Sequence, residues 1–442
     1  MSQSGSEFVT ARRQVLFATY IAYVGFYFCR KAYGGLKASL GAEFGWDSLQ
    51  LAHLWTAFLV AYMLGQFVAG LLGRKTGPRV LLLVGLSVSI GCNVIFGASQ
   101  NYATFMGFMI LNGLFQACGW PGAVGALSSW LRRSERGSVM GWWSTNYQVG
   151  NLGTKHLTGF ILSSAAGGLF GLAAWRTTFL ACSLIAGGVW ALVLWLQRDT
   201  PQDFGLAPII TEEAGASKPE TPTASEGVFS GFVGILFHPT VLLVGAAYFF
   251  LKFLRYSLDS WLPYVLSTSS FQVPAGLANQ LSTLPDYAGL VAAIGAGIAL
   301  DRVFRGNWRV MCLLLALGMS VAYFLVTEFG AVSALSLAVL YGVVGALVYA
   351  LDTTLCGVAA MSVAGEKNAL TAVGVINGVG SLGPILQEEV VGALLKSGSG
   401  PGALSMLGLG VSCASTLVLL FLWLRHARAN VAGSPRRGRE SA

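Results

Sequence analysis

From Val80 to Leu131 the chain contains no Asp, Glu, Lys or Arg, and several other stretches are nearly as free of charge. In water a run of this length would need covering on every side, whereas a bilayer accepts it as it stands. Of the 442 residues 55% are hydrophobic and 10% charged, and the mean hydropathy is +0.66, values unlike those of a water-facing surface. In lipid the backbone must close its own hydrogen bonds, which only helices and closed barrels achieve. The runs lack the period-2 alternation of barrel strands, so the sequence predicts a polytopic α-helical membrane protein.

A crossing takes ~20 residues, and the chain length accommodates twelve, at about 14–38, 49–73, 77–99, 102–130, 137–164, 174–197, 233–266, 279–300, 309–328, 333–362, 370–395 and 403–424. One long polar stretch, Arg198 to Gly227, carries Pro201, Pro208, Pro219 and Pro222 and reads as a linker. The expected organisation is a six-helix half over 1–197, a cytoplasmic linker over 198–230, a second six-helix half over 231–426 and a cytoplasmic tail over 427–442.

The net charge of +8 is explained by where the cations fall. With the N-terminus in the cytoplasm, 19 of the 27 Lys and Arg residues lie in cytoplasmic segments and only Lys37, Arg176 and Lys396 lie outside. By the positive-inside rule both termini are expected in the cytoplasm, and the basicity needs no nucleic-acid partner. The remaining five, Arg30, Lys31, Lys155, Lys252 and Arg255, sit within or at the edge of apolar segments. The seven cysteines are dispersed without CxxC, and the four histidines form no metal-binding cluster, so neither a metal nor a cofactor is expected. The polar start and long first span do not read as a cleavable signal, and the absence of N-x-S/T acceptors favours a bacterial inner membrane.

The two halves share a turn. Gly70 to Arg79, containing Arg74 and Arg79, follows the second span, and Gly297 to Gly306, containing Asp301 and Arg302, follows the eighth. A short basic turn at equivalent places in two six-helix halves is the signature of a duplicated transporter. The pattern resembles that of the major facilitator superfamily. That resemblance implies an all-α membrane fold of twelve transmembrane helices in two pseudo-symmetric halves, with Arg74, Arg79, Asp301 and Arg302 in gating loops. The first copy has Gly73 where the second keeps Asp301, a departure that weakens the charge network of that half.

Longer strings narrow the resemblance. Tyr27 to Lys31, Gly119 to Pro121, Arg198 to Leu206, Arg255 and Tyr256 with Trp261 and Pro263, Tyr287 to Gly289, and Asp301 to Asn307 are similar to segments of the organophosphate:phosphate antiporter family, which includes glycerol-3-phosphate and hexose-phosphate transporters. Spans nine to twelve agree only in pattern. In that family two arginines matching Arg30 and Arg255 bind the phosphoryl group, and tyrosines matching Tyr23, Tyr27 and Tyr62 line the cavity.

The residues support such a site independently. A charge at the bilayer centre costs at least ~2.5–3.5 kcal/mol on insertion scales, so an intramembrane Arg is functional or paired. Two guanidiniums facing one cavity would repel each other when it is empty and clamp a dianion when it is full. The competing reading pairs each arginine with an acid such as Asp259 or Asp352, holding helices together. Tyr23, Tyr27 and Arg30 share a helical stripe, as do Lys252, Arg255 and Asp259, Tyr62 and Gln66, and Tyr147, Asn151 and Lys155. Gln66 and Tyr147 stand where family members often carry Lys and His, removing potential cations that Lys252 or Lys155 restores.

Asp352 in span ten and Glu388 with Glu389 in span eleven are unusual acids. Each is paired to Lys155 or Lys252, protonated, or facing a substrate cation. The functional expectation is a monomeric antiporter of a phosphorylated small organic anion against inorganic phosphate, working by rocker-switch alternating access. Two alternatives remain: a membrane sensor of an organophosphate on the same fold, and a proton-coupled symporter of a zwitterionic phosphate or phosphonate using Lys155, Asp259, Asp352 or Glu388. No nucleophile–base pair suggests an enzyme.

Overall fold

The computed structural model describes residues 3–131, 136–164, 171–207 and 237–432. Among them all regular structure is helical. The helices are α1 Gln3–Phe44, α2 Ser48–Thr76, α3 Pro78–Ala98, α4 Tyr102–Gln116, α5 Gly119–Ser128, α6 Arg136–Trp143, α7 Asn146–Ser163 and α8 Ala174–Leu196. After the polar stretch come α9 Pro239–Thr268, α10 Ala275–Leu281, α11 Leu284–Arg302, α12 Trp308–Phe329, α13 Ala334–Thr353, α14 Ala360–Lys396 and α15 Pro401–Ala432. Expected spans four, five and eight are each split in two, as α4/α5, α6/α7 and α10/α11. A π-helical turn, Thr354–Ala359, joins α13 to α14, so the break expected between 362 and 370 is absent from the backbone.

Eight of the described helical stretches are long and apolar enough to cross a membrane, among them Pro78–Ala98, Ala174–Leu196 and Trp308–Val332. Helices α2 and α4 run close because Gly65 faces Leu114 O and Gly113 faces Phe58 O, where a Cβ would strike backbone. Close approach through small residues substitutes for the hydrophobic drive that lipid removes.

Contacts divide the chain into two units. The first is Met1–Thr221 with Ser260–Thr283 and Val391–Lys396; the second is Pro222–Asp259, Leu284–Val390 and Ser397–Ala442. In the first unit α1 packs on α7 and α8, and α3 on α8 and α4. In the second, α11 packs on α13, and α12 on α13 and α15.

Helix α1 extends past the expected end at 38, which changes the reading of Lys37. It is not an outside-loop cation: it is fully buried, with Nζ donating to Ser260 Oγ at 2.7 Å and lying 3.6 Å from the Trp261 ring centroid. Asn279 Nδ2 donates to Gly35 O, two residues before Lys37, at 3.0 Å. The other two outside cations also have structural partners. Arg176 donates to the terminal carbonyls Gly97 and Ser99, each at 2.9 Å, and Lys396 pairs with Asp47 at 3.0 Å.

The polar stretch begins as folded chain. Pro201–Phe204 is a 3-10 turn with a Thr200/Asp203 capping box, ended by Gly205 at φ 71°, and Phe204 and Leu206 pack on Ala11, Val15 and Trp130. Asp199 Oδ1 accepts the Arg79 backbone N–H at 2.8 Å, capping α3, whose own N-cap Gly77 has no side chain to do so. The Arg79 guanidinium returns to Leu194 O at the end of α8, 2.6 Å away. Two strings distant in sequence are thus one structural knot.

Candidate functional site

In the first unit Arg30 lies on α1, 8% exposed. Its Nε donates to Gln116 Oε1 at 3.2 Å, and Gln116 donates in turn to Phe26 O at 3.0 Å. The guanidinium carbon is 4.4 Å from the Tyr62 ring centroid and 5.1 Å from that of Tyr27. Nη2 is buried with no hydrogen-bond partner in the structure, and no carboxylate pairs with Arg30 among the described residues. A buried donor in this state is costly and calls for an acceptor.

The aromatic residues named from the sequence do converge here. Tyr23 and Tyr27 rings are 5.6 Å apart, and Tyr27 is 6.3 Å from Tyr147. Trp120, 5.4 Å from Tyr23, joins the cluster through the Gly119-Trp120-Pro121 string. Asn151 is buried, whereas Gln66 is exposed. Lys155 is 5% exposed and donates to Ser282 O at 3.1 Å.

Gln116 was not singled out from the sequence, and neither were Asn93 and Asn112, whose amides donate to Cys29 O at 2.8 and 3.3 Å. These neutral side chains bind helix carbonyls beside Arg30, and no charge in an apolar run advertises them.

In the second unit Arg255 Nη1 lies 2.9 Å from Asp352 Oδ2, with both side chains largely buried. The Arg255 guanidinium carbon is 4.7 Å from the Tyr349 ring centroid, and the Tyr349 hydroxyl donates to Asp286 at 2.9 Å. Lys252 Nζ reaches Asn377 Oδ1 and Ser381 Oγ, each at 3.3 Å, and lies 4.8 Å from the Tyr248 ring centroid. Asp352 therefore pairs with Arg255, one of the arginine–acid pairings weighed from the sequence. Asp286, buried at 3% exposure, is a further acid the sequence reading missed, its surroundings Leu-Pro-Asp-Tyr resembling a helix start.

Glu388 is buried in α14, and Asp259 is half-buried one turn beyond Arg255. Asp301 and Arg302 are exposed at the end of α11, while the Arg74 side chain lies outside the described residues. The second basic turn lines a cavity of about 370 Å³ with Arg305, Asn307, Arg309, Trp423 and His426. Among the described residues no group of His, Cys, Asp and Glu is arranged to hold a metal.

Each unit therefore holds an arginine on a long helix against aromatic rings, Arg30 with a neutral amide as its partner and Arg255 with a carboxylate. Residues 19–387 match the family model described as Major Facilitator Superfamily. The chain belongs to that superfamily. It is 28% identical over 324 residues to a probable hexose phosphate transport protein of Chlamydia pneumoniae, covering 70% of this chain and 69% of that one. It is 26% identical over 440 residues to the glycerol-3-phosphate transporter of Bacillus subtilis, covering 97% and 96%. These relatives match the organophosphate:phosphate antiporter family.

The chain is also 26% identical over 425 residues to the membrane sensor protein UhpC of Salmonella typhimurium, covering 93% and 91%. Among solved structures, a D-xylose–proton symporter aligns with TM-score 0.70 at 14% identity over 93% of this chain and 97% of that one, a likeness of fold. The protein is an integral membrane member of this superfamily, and the relatives it matches are not enzymes.

Proposed function

We propose that this protein carries a phosphorylated small organic anion across the membrane in exchange for inorganic phosphate, with Arg30 and Arg255 binding the phosphoryl group. The observation that carries the reading is Arg30: buried, fixed at Nε by Gln116 and left with an unsatisfied Nη2. A planar fork held in this way suits bidentate recognition of a phosphoryl oxyanion. The hexose phosphate and glycerol-3-phosphate transporters among the relatives support the substrate class.

Tyr23, Tyr27, Tyr62, Tyr147, Asn151 and Lys252 are assigned to the same site, where hydroxyls and amides bind phosphoryl or sugar oxygens without adding charge. Gln66 belongs to this set on its place in α2. Transport follows rocker-switch alternating access of two six-helix halves, 1–197 and 231–426, joined by the 198–230 linker and followed by the 427–442 tail, with Arg74, Arg79, Asp301 and Arg302 in the gating turns. We assign the protein to a bacterial inner membrane, as a monomer with both termini cytoplasmic.

Reconstitution into liposomes loaded with labelled phosphate tests this directly. External hexose phosphates or glycerol phosphate should drive label release, and no release by any phosphorylated compound would remove the proposal. The sensor relative favours one other reading, in which ligand binds without translocation. Phosphate-dependent thermal stabilisation of the protein with no flux in liposomes would establish that reading instead.

A further inference from the structure

Two buried arginines make an empty carrier unfavourable to reorient, and that is the physical basis of obligatory exchange. The two arginines here are not equivalent. Arg30 has a neutral amide and aromatic rings around it, whereas Arg255 has a carboxylate 2.9 Å away, itself 8% exposed. A buried guanidinium without a counter-charge is strongly destabilising, while an intact, hydrogen-bonded pair is close to neutral. Asp352 therefore takes at Arg255 the place that a substrate oxyanion would take.

The surroundings fit this exchange of partners. Tyr349 sits against Arg255 and is held by Asp286, which fixes the ring under the guanidinium whichever anion it holds. Lys252, one turn before Arg255 on α9, is bound by Asn377 and Ser381 and supplies a nearby cation for a displaced carboxylate. Asp352 Oδ1 is buried without a hydrogen-bond partner in the structure, so the carboxylate retains acceptor capacity that the Arg255 bond does not use. It stands at the end of α13, just before the π-helical turn Thr354–Ala359; such turns depart from regular helix and frequently occur at functional sites.

We infer that Asp352 is a built-in counter-anion for Arg255, which the phosphoryl group displaces on binding and which re-pairs on release, so that the empty carrier reorients and net one-way flux accompanies exchange. This rests on the proposed phosphate site and goes beyond it, because two bare arginines alone would enforce strict exchange. Charge bookkeeping distinguishes the two situations: with Asp352 one buried arginine is bare after release, without it both are.

The test measures two rates from the same proteoliposomes loaded with labelled phosphate and held at zero membrane potential. One is efflux into medium containing phosphate, the other efflux into phosphate-free medium. The wild type should show both, and Asp352→Asn should lower the ratio of net efflux to exchange by at least about tenfold. Asp352→Glu, which keeps the charge, should restore much of that ratio, separating the effect from a loss of folding. Absence of net efflux in the wild type, or an unchanged ratio in Asp352→Asn, would overturn the inference while leaving the exchanger standing. Absence of exchange in the wild type would instead remove the phosphate site on which both rest.

Discussion

Gln116 Oε1 accepts from Arg30 Nε at 3.2 Å while its own amide donates to Phe26 O at 3.0 Å, tying the arginine to the backbone of its own helix through a side chain on α4. The guanidinium is thereby oriented without being neutralised. Gln116→Leu removes the acceptor and leaves another buried N–H unsatisfied, a loss of about 1–3 kcal/mol. The half-saturation concentration for phosphate exchange should rise by about 5- to 150-fold at that cost, with the thermal unfolding midpoint as the control for folding.

Lys37 and Ser260 form a second buried pair. Ser260→Ala removes one oxygen that the ammonium donates to, and we expect a loss of about 1–3 kcal/mol of stability. Lys37→Met keeps the stem and removes the charge, so in combination with Ser260→Ala most of the loss should be recovered. Unfolding of the four proteins of this cycle in detergent measures the coupling, and strict additivity would show that the contact carries no energy.

Gly289 faces the Tyr349 ring so closely that a Cβ would collide with it. Because that ring lies against Arg255 and donates to Asp286, Gly289→Ala must displace it. Overpacking of this kind costs about 1–3 kcal/mol, and phosphate exchange should fall at least about tenfold while Gly295→Ala, where a Cβ meets nothing within 4 Å, should leave exchange unchanged.

Burial, followed by repulsion from Asp203, raises the Asp199 carboxyl above the ordinary carboxylate range, against the opposing hydrogen bond from the Arg79 N–H. The raised value means that the folded state holds the proton more tightly than the unfolded chain. Stability from this group is therefore greatest below the usual Asp value of ~3.9 and declines as pH rises through the raised one. Asp199→Asn keeps the α3 cap without the charge and should unfold close to wild type at neutral pH. Asp199→Ala should lose about 1 kcal/mol, read as a lower unfolding midpoint.

The sequence showed Arg30 and Arg255 clearly because a charge inside an apolar helix has few explanations. It showed the fold for the same reason, since the apolar runs and paired basic turns follow directly from lipid. Lys37 was misread because a cation near an apparent helix end looks like a loop residue until the length of α1 is known. The choice between Asp259 and Asp352 for Arg255 could not be made in one dimension, as the sequence separation of 97 between Arg255 and Asp352 is bridged only by helix packing. Gln116, Asn93 and Asp286 left no usable pattern: they bond a guanidinium, a carbonyl and a hydroxyl of other helices, and each is ordinary in composition.

The most direct test of the two-arginine site is the initial rate of labelled phosphate exchange in proteoliposomes containing Arg30→Lys or Arg255→Lys. Lysine retains the charge and loses the fork. Each variant should unfold within a few degrees of wild type yet exchange phosphate at least about a hundredfold more slowly, the loss of one bidentate contact being worth about 3 kcal/mol. Wild-type exchange rates in both variants would contradict phosphoryl recognition by these arginines.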